Sequence, residues 1–102
     1  TIPYGDQRIL DVAMALACEP QLLLLDEMTS GLSAGEIEKA IDIINGLSKT
    51  QTILLIEHNM NVVMSIADTI TVINFGEVIA EGNSEEIKTN TRVQEAYFGG
   101  IL

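Results

Sequence analysis

Basic residues and cysteine are both scarce in this chain. Of its 102 residues, 5 are Lys or Arg and 15 are Asp or Glu, which gives a formal net charge of −10 at pH 7. Proteins that bind duplex nucleic acid neutralise its phosphates with clustered basic side chains, so this balance argues against a nucleic acid partner. A single cysteine, Cys18, cannot form an internal disulfide. Because Cys18 falls on the apolar repeat of a predicted helix, we expect a buried, inert thiol and a reducing compartment.

Long apolar runs are absent as well. No stretch approaches the roughly 20 apolar residues that a membrane-spanning helix needs, and the first residues lack the charged and then apolar layout of a secretion signal. We therefore expect a soluble chain. With 47% apolar residues, no internal repeat and no linker, residues 1–102 are expected to form one domain with a real but modest core.

The most informative feature that is present is a short apolar run ending in two acids. Residues Leu22 to Leu25 are followed directly by Asp26 and Glu27. Such a run is typical of a strand covered on both faces, as in the parallel sheets of α/β proteins, whose ligands bind outside the carboxyl ends of the strands. Adjacent side chains on a strand point in different directions. We therefore expect one acid to face a metal ion and the other to face a water molecule.

Apolar periodicity and turn residues predict the order of the other elements. Ser33 and Glu36 form a capping box at the start of a helix, and Asn83 can cap another. A turn at Gly76 and Glu77 predicts an antiparallel hairpin. Alternating helices and strands are typical of an α/β fold. The predicted strands cover residues 21–26, 52–57, 69–74 and 78–80. The predicted helices cover residues 6–18 and 33–49, a short segment that Asn59 or Asn61 can cap and that ends near Ala67, and residues 90–98, which Gly99 and Gly100 stop.

Four motifs in one order and spacing resemble the second half of an ABC transporter ATP-binding subunit, and the resemblance covers essentially the whole chain. It implies an α/β fold, the C-terminal part of a P-loop NTPase domain of the ABC, RecA-like type. Mostly parallel strands, flanking helices and a C-terminal hairpin are expected. The segments 55–60, 76–82 and 95–100 are similar to the branched-chain amino acid uptake subgroup. The four motifs are Tyr4-Gly5-Asp6-Gln7-Arg8, Leu22 to Glu27, Ser30-Gly31-Leu32 and Ile56-Glu57-His58.

The resemblance implies a role for each acid after the first strand and for the histidine after the second. Asp26 looks like the Walker B residue that holds Mg²⁺ through water, since this ion keeps several waters and uses few protein carboxylates. Glu27 looks like the base that polarises the attacking water. His58 resembles the family's switch histidine, which contacts the γ-phosphate and orients that water.

Two further motifs resemble loops that act across a subunit interface. Tyr4, Gly5, Asp6 and Gln7 belong to a signature loop, in which backbone N–H groups at a helix N-terminus contact the γ-phosphate held by the opposite subunit. Ser30 and Gly31 resemble the D-loop, which crosses to the partner subunit. Three positions depart from the family pattern. Pro3 replaces a frequent serine and so removes a hydroxyl and a backbone donor, Met28 replaces a frequent proline, and Ser33 replaces a frequent aspartate.

The sequence contains no P-loop. That loop needs a G-x-x-x-x-G-K-[S/T] pattern, and none of the lysines follows a glycine. We therefore expect the 102 residues to be a partial ABC nucleotide-binding domain, truncated or encoded as a fragment, with no useful ATP affinity or turnover alone. ATP and Mg²⁺ are expected to bind only in the complete domain.

The resemblance implies an ATP-hydrolysing subunit of an ABC importer for branched-chain amino acids. Its expected partners are the missing N-terminal P-loop half, a second nucleotide-binding subunit and a transmembrane permease. The assembled protein would lie in the cytoplasm, peripheral on the inner face of the cell membrane. The isolated chain should expose apolar surface and sheet edge around residues 22–25 and 53–56, and should self-associate.

Two alternatives remain open. An ABC-type ATPase outside transport shares the same motifs, but the acidic balance, the absence of coiled-coil heptads and the subgroup-like tail argue against it. A non-catalytic interaction fragment is supported by Pro3 and by the missing P-loop.

Overall fold

The structure, a computed structural model, describes residues 2–97 and divides the chain into two compact units, Thr1–Val62 and Val63–Leu102. The predicted order of helices and strands is confirmed, with bounds that differ by at most two residues. The predicted stop at Gly99 and Gly100 lies outside the described residues. The elements are α1 (Tyr4–Leu16), β1 (Leu22–Asp26), α2 (Ala34–Leu47), β2 (Thr52–Ile56), α3 (Met60–Ile66), β3 (Ile70–Asn74), β4 (Glu77–Gly82), α4 (Ser84–Lys88) and α5 (Thr91–Tyr97).

The first unit contains a parallel pair of strands. β1 and β2 lie side by side in register, with Leu22 opposite Thr52 and Asp26 opposite Ile56. Strands in a parallel pair need a crossover between them, and α2 provides it. Because the strands run in the same direction and start level, both carboxyl ends lie at one edge of the pair. The residues that follow β1 and β2 are therefore neighbours.

Only one face of this strand pair is covered. Leu23 is 3% exposed, whereas Leu24 is 64% exposed. Since side chains alternate along a strand, Leu22 and Leu24 lie on the open face together with Leu54 and Ile56 of β2, all of which are exposed. The expectation of a strand covered on both faces is therefore wrong for this chain, because no described residues cover the second face. The expected exposure of apolar surface around residues 22–25 and 53–56 is confirmed for these four side chains.

Helix α2 begins at the predicted capping box. The Ser33 side chain accepts a hydrogen bond from the Glu36 N–H, and the Glu36 carboxylate accepts one from the Ser33 N–H. Two of the unpaired N–H groups at the helix start are satisfied in this way. Helix α1 starts differently, because its N-cap residue, Pro3, makes no side-chain cap.

The thiol of Cys18 is exposed, which corrects the expectation of a buried one. Helix α1 ends at Leu16, so Cys18 follows the helix and does not lie on its apolar face. The chain turns away at Glu19, whose φ of 52° is in the left-handed region. The Cys18 Sγ atom lies 3.9 Å from the carbonyl oxygen of Met14.

The second unit is a hairpin packed with short helices. β3 and β4 are antiparallel, and Phe75 and Gly76 connect them with φ values of 50° and 74°. Two central residues with positive φ suit a tight two-residue hairpin. The predicted hairpin is confirmed, with its turn one residue earlier than expected. The Tyr97 hydroxyl donates a hydrogen bond to the Ile73 carbonyl. Asn83 caps α4 as predicted.

None of the helices in residues 2–97 combines the length and the apolar character that crossing a membrane requires.

Candidate functional site

The carboxyl ends of β1 and β2 bring the predicted base and the predicted switch histidine together. Glu27 follows β1 directly, and its N–H donates a 2.7 Å hydrogen bond to the carbonyl oxygen of Ile56, the last residue of β2. Two residues later, His58 places its Nε2 atom 2.7 Å from the Glu27 Oε1 atom. The two side chains stay partly exposed to solvent. The site therefore consists of a carboxylate and an imidazole in direct contact at an accessible sheet edge.

The backbone of Glu27 is strained. Its φ of 51° is in the left-handed region, which residues with a Cβ atom adopt at a cost. The hydrogen bond from its N–H to β2 holds this conformation in place. Because the chain leaves β1 through this bend, Glu27 departs from the alternation of the strand and its carboxylate reaches His58.

Asp26 is the last residue of β1, and its side chain is exposed. Residues 2–97 contain no group of three or more His, Cys, Asp or Glu side chains that could hold a metal ion. The donor set therefore does not suit an ion held entirely by protein. It fits Mg²⁺, which keeps several water ligands and is commonly bound through one or two carboxylates together with substrate phosphates.

A second link between the two loops is made by Glu57 and Thr29. The Glu57 Oε2 atom accepts hydrogen bonds from the Thr29 hydroxyl at 2.9 Å and from the Thr29 N–H at 3.4 Å. Its Oε1 atom accepts from the N–H groups of His58 at 3.0 Å and Asn59 at 3.3 Å. Thr29 is only 5% exposed. One carboxylate thus holds the loop that follows Glu27 against the loop that carries His58.

The sequence motifs do not predict this link. Glu57 belongs to the motif Ile56-Glu57-His58, whereas Thr29 belongs to none of the four motifs. The hydrogen-bonding needs of the loop after β1 could have predicted the link. Backbone N–H groups in a bend after a strand need acceptors, and an acid at the end of the neighbouring strand is a suitable one.

The four predicted signature-loop residues form the first turn of α1. Their helix starts at Tyr4, two residues earlier than predicted, with Gly5 buried. The Gln7 side chain donates a hydrogen bond to the Ile2 carbonyl. Asp6 lies 3.7 Å from Lys39 of α2. Among the described residues, no hydrogen bond or ion pair joins this turn to Glu27 or His58.

The Tyr4 ring carries a cation above it. The Arg8 guanidinium lies 4.9 Å from the ring centroid, and Arg8 also donates a hydrogen bond to the Tyr4 hydroxyl. A guanidinium over an aromatic face is electrostatically attractive. The contact fixes the first predicted signature residue against its own helix.

The predicted D-loop residues follow the site in consecutive tight turns. The Ser30 N–H donates to the Glu27 carbonyl at 3.3 Å, and the Leu32 N–H donates to the Thr29 carbonyl at 3.2 Å. Gly31 has a φ of 79°, a conformation that favours glycine. A Cβ atom at Gly31 would lie 3.4 Å from the Tyr4 ring. The structure thus brings the D-loop residues close to the start of α1.

Comparison with known proteins shows which family the chain resembles. Residues 77–101 match the family model described as branched-chain amino acid ATP-binding cassette transporter. Over 100 residues the chain is 43% identical to the high-affinity branched-chain amino acid transport ATP-binding protein LivG of Salmonella typhimurium, which covers 96% of the chain and 39% of LivG. Identity is also 43% over 101 residues with BraF of Pseudomonas aeruginosa, covering 97% of the chain and 40% of BraF. The chain is similar to the C-terminal part of ABC transporter ATP-binding proteins.

Solved structures of ABC ATP-binding proteins share the fold. The ADP conformation of MJ1267, an ATP-binding cassette of an ABC transporter, superimposes with a TM-score of 0.83 at 29% identity, over 96% of the chain and 41% of MJ1267. The predicted fold class and the resemblance to the branched-chain amino acid subgroup are therefore confirmed. The chain spans about 40% of the length of the ABC ATP-binding proteins that it matches. The roles of the individual site residues stay predictions.

Proposed function

We propose that the chain is the C-terminal part of an ATP-hydrolysing subunit of an ABC importer for branched-chain amino acids. The observation that carries this proposal is the 2.7 Å contact between His58 and Glu27 at the carboxyl ends of two parallel strands. Open α/β sheets bind ligands at this edge. The names of LivG and BraF support the solute class, since both are described as branched-chain amino acid transport proteins.

In this proposal Glu27 is the general base. With a proton on Nε2, His58 donates to Glu27 Oε1 and fixes the carboxylate, so that Oε2 remains available to accept a proton from a water molecule. A general base must lie within hydrogen-bond distance of the proton that it accepts, and this geometric condition comes before any shift of its pKa. Phosphoryl transfer depends mainly on positioning and charge stabilisation, so a carboxylate held by a neighbouring strand suits the task.

Asp26 is proposed to hold Mg²⁺ through water. The ion, when bound with ATP, neutralises charge on the phosphates. The exposed carboxylate at the end of β1 leaves room for a water between itself and the ion. No step of the proposal depends on direct coordination.

The remaining predicted residues are proposed to act between subunits. Tyr4, Gly5, Asp6 and Gln7 would face the ATP held by a second nucleotide-binding subunit, and Ser30 and Gly31 would contact that subunit. A P-loop must come from residues beyond these 102, and a permease would hold the assembly at the inner face of the membrane. Pro3 offers no hydroxyl to the phosphate, so contact at this loop rests on backbone donors.

The test is complementation with a P-loop. The chain is mixed with the part of LivG that the chain does not match, and the hydrolysis of MgATP is measured. We expect no turnover from either piece alone and turnover from the mixture. Glu27→Gln should lower the restored rate by about 100-fold or more, the usual contribution of a general base.

Glu38→Gln is the matched control, because Glu38 is an exposed acid on α2 away from the site. It should leave the restored rate unchanged. An equal rate for Glu27→Gln and wild type would remove Glu27 as the base. A mixture without turnover would favour a non-catalytic interaction fragment.

A further inference from the structure

One carboxylate joins the two loops that are predicted to act between subunits. The Glu36 Oε1 atom accepts a hydrogen bond from the Ser33 N–H at 3.0 Å, and its Oε2 atom accepts one from the Gly5 N–H at 3.1 Å. Ser33 ends the loop that contains the predicted D-loop residues, whereas Gly5 lies in the first turn of α1. Each oxygen therefore serves a different loop.

The start of α1 creates a need for this second bond. The first N–H groups of a helix have no partner within it, and side-chain caps normally satisfy some of them. Pro3 is the N-cap of α1 and makes no side-chain bond. Gly5 is buried, so its N–H also has little access to water. Glu36 supplies the acceptor that the local sequence does not.

Gly5 makes room for this contact. A Cβ atom at position 5 would lie 2.3 Å from the Glu36 Oε2 atom, which is far inside van der Waals contact. A side chain there would push the Glu36 carboxylate away. The absence of a side chain at Gly5 therefore permits the hydrogen bond between the Gly5 N–H and Glu36 within the chain.

Hydrogen bonds favour an ionised Glu36 carboxylate. The pKa of Glu36 is lowered, chiefly by the hydrogen bond from the Ser33 backbone and then by the Ser33 side chain, with smaller contributions from the Gly5 N–H and the Lys39 charge. Glu36 lines a small cavity of about 60 Å³ between α1 and α2, and Asp6 and Arg8 of α1 line it as well. Lys39 lies 3.7 Å from Asp6 and partly offsets its charge.

We propose that Glu36 is a positioning residue that fastens the signature turn of α1 to the end of the D-loop, so that the two loops keep a fixed spacing. The use of this spacing between subunits rests on the proposed function, whereas the bridge itself does not. The Tyr4 ring also lies near Gly31, since a Cβ atom added at Gly31 would be 3.4 Å from the ring. Glu36 thereby acts on the proposed reaction through Gly5 and Ser33 and not by touching ATP.

The test measures hydrogen exchange of the Gly5 and Ser33 amides by NMR at neutral pH, on the full chain. Glu36→Ala should accelerate exchange at both amides, by about threefold each, as expected for weak interactions near the surface. Glu36→Gln keeps one acceptor oxygen, so one of the two amides should stay as slow as in wild type. Glu38→Ala, which alters an exposed acid on the same helix, should change neither.

A helix cap without a bridging role would give a different result. If Glu36→Ala accelerates exchange at Ser33 and leaves Gly5 unchanged, Glu36 only caps α2 and the proposal is wrong. If that variant does not fold, scalar couplings across the hydrogen bonds of the wild type decide, because the bridge predicts that Glu36 Cδ couples to the nitrogens of both Gly5 and Ser33. The amide signals need no ATP. Failed complementation combined with a bridging result would therefore reject the proposed function and leave the bridge supported.

Discussion

Three carboxylates near the ends of β1 and β2 have separate tasks at the residue scale. Glu27 contacts the His58 imidazole, Glu57 collects N–H and O–H donors from two loops, and Asp26 is exposed at the strand end. Only the first of these contacts joins the predicted catalytic pair directly. The Glu57 contacts hold the backbone on which that pair depends. A substitution of Glu57 should therefore alter the position of His58 without removing any proposed catalytic group.

Glu57→Ala should destabilise the chain by about 1–3 kcal/mol, because the buried Thr29 hydroxyl loses its acceptor. Glu57→Gln should cost less, since its one carbonyl oxygen can still accept from one of the two loops. Urea unfolding measures both effects. Glu38→Ala is the control and should change stability by less than about 0.5 kcal/mol, as is usual for a surface substitution. Equal stability of Glu57→Ala and Glu38→Ala would contradict the account.

Some contacts of single residues follow from the sequence, and others do not. The separate roles of Glu27 and His58 are predictions from the family resemblance, since the residues themselves give only an acid after one strand and a histidine after another. Their direct contact is not predicted and is seen only in the structure. The capping box of Ser33 and Glu36 was predictable because its partners are three residues apart. The second bond of Glu36 was not, because Gly5 is 31 residues away in sequence. A contact at that separation depends on how α1 and α2 pack.

At the scale of the elements, periodicity predicted the order of helices and strands but not the environment of each. The apolar run from Leu22 to Leu25 correctly indicated a strand in a parallel pair. It could not indicate which neighbours cover the strand, and the described residues cover one face only. The predicted burial of Cys18 is wrong for a related reason. The apolar repeat continues past Leu16, the last residue of α1, and therefore predicts a buried helical position for a residue that lies beyond the helix.

The open face of β1 and β2 gives a prediction at this scale. Leu24→Ser combined with Leu54→Ser should reduce self-association, because both side chains are exposed apolar surface, and should leave stability nearly unchanged. Leu23→Ser is the matched variant on the covered face. It should destabilise the chain by at least about 2 kcal/mol, since it removes buried apolar contacts and introduces a polar group.

Sedimentation velocity over a range of concentrations measures the association. A wild-type chain that stays monomeric at all concentrations would show that the open face does not drive self-association. Urea unfolding compares the stabilities of the two substitutions.

At the scale of the whole molecule, the chain carries acids, a histidine and two predicted intersubunit loops but no P-loop. It spans about 40% of the length of LivG and BraF. In P-loop NTPases, the backbone amides and a lysine of the P-loop make most of the contacts that bind the phosphates. The proposed site should therefore bind ATP only when another polypeptide segment supplies that loop.

Calorimetric titration of MgATP tests this central claim most directly. The chain alone should give no heat of specific binding, and the chain mixed with the part of LivG that it does not match should bind MgATP. The part of LivG alone is the control for its own affinity, and Asp26→Asn in the mixture should weaken the response to Mg²⁺. Specific binding of MgATP by the chain alone, abolished by Asp26→Asn, would show a nucleotide site without a P-loop and contradict the account.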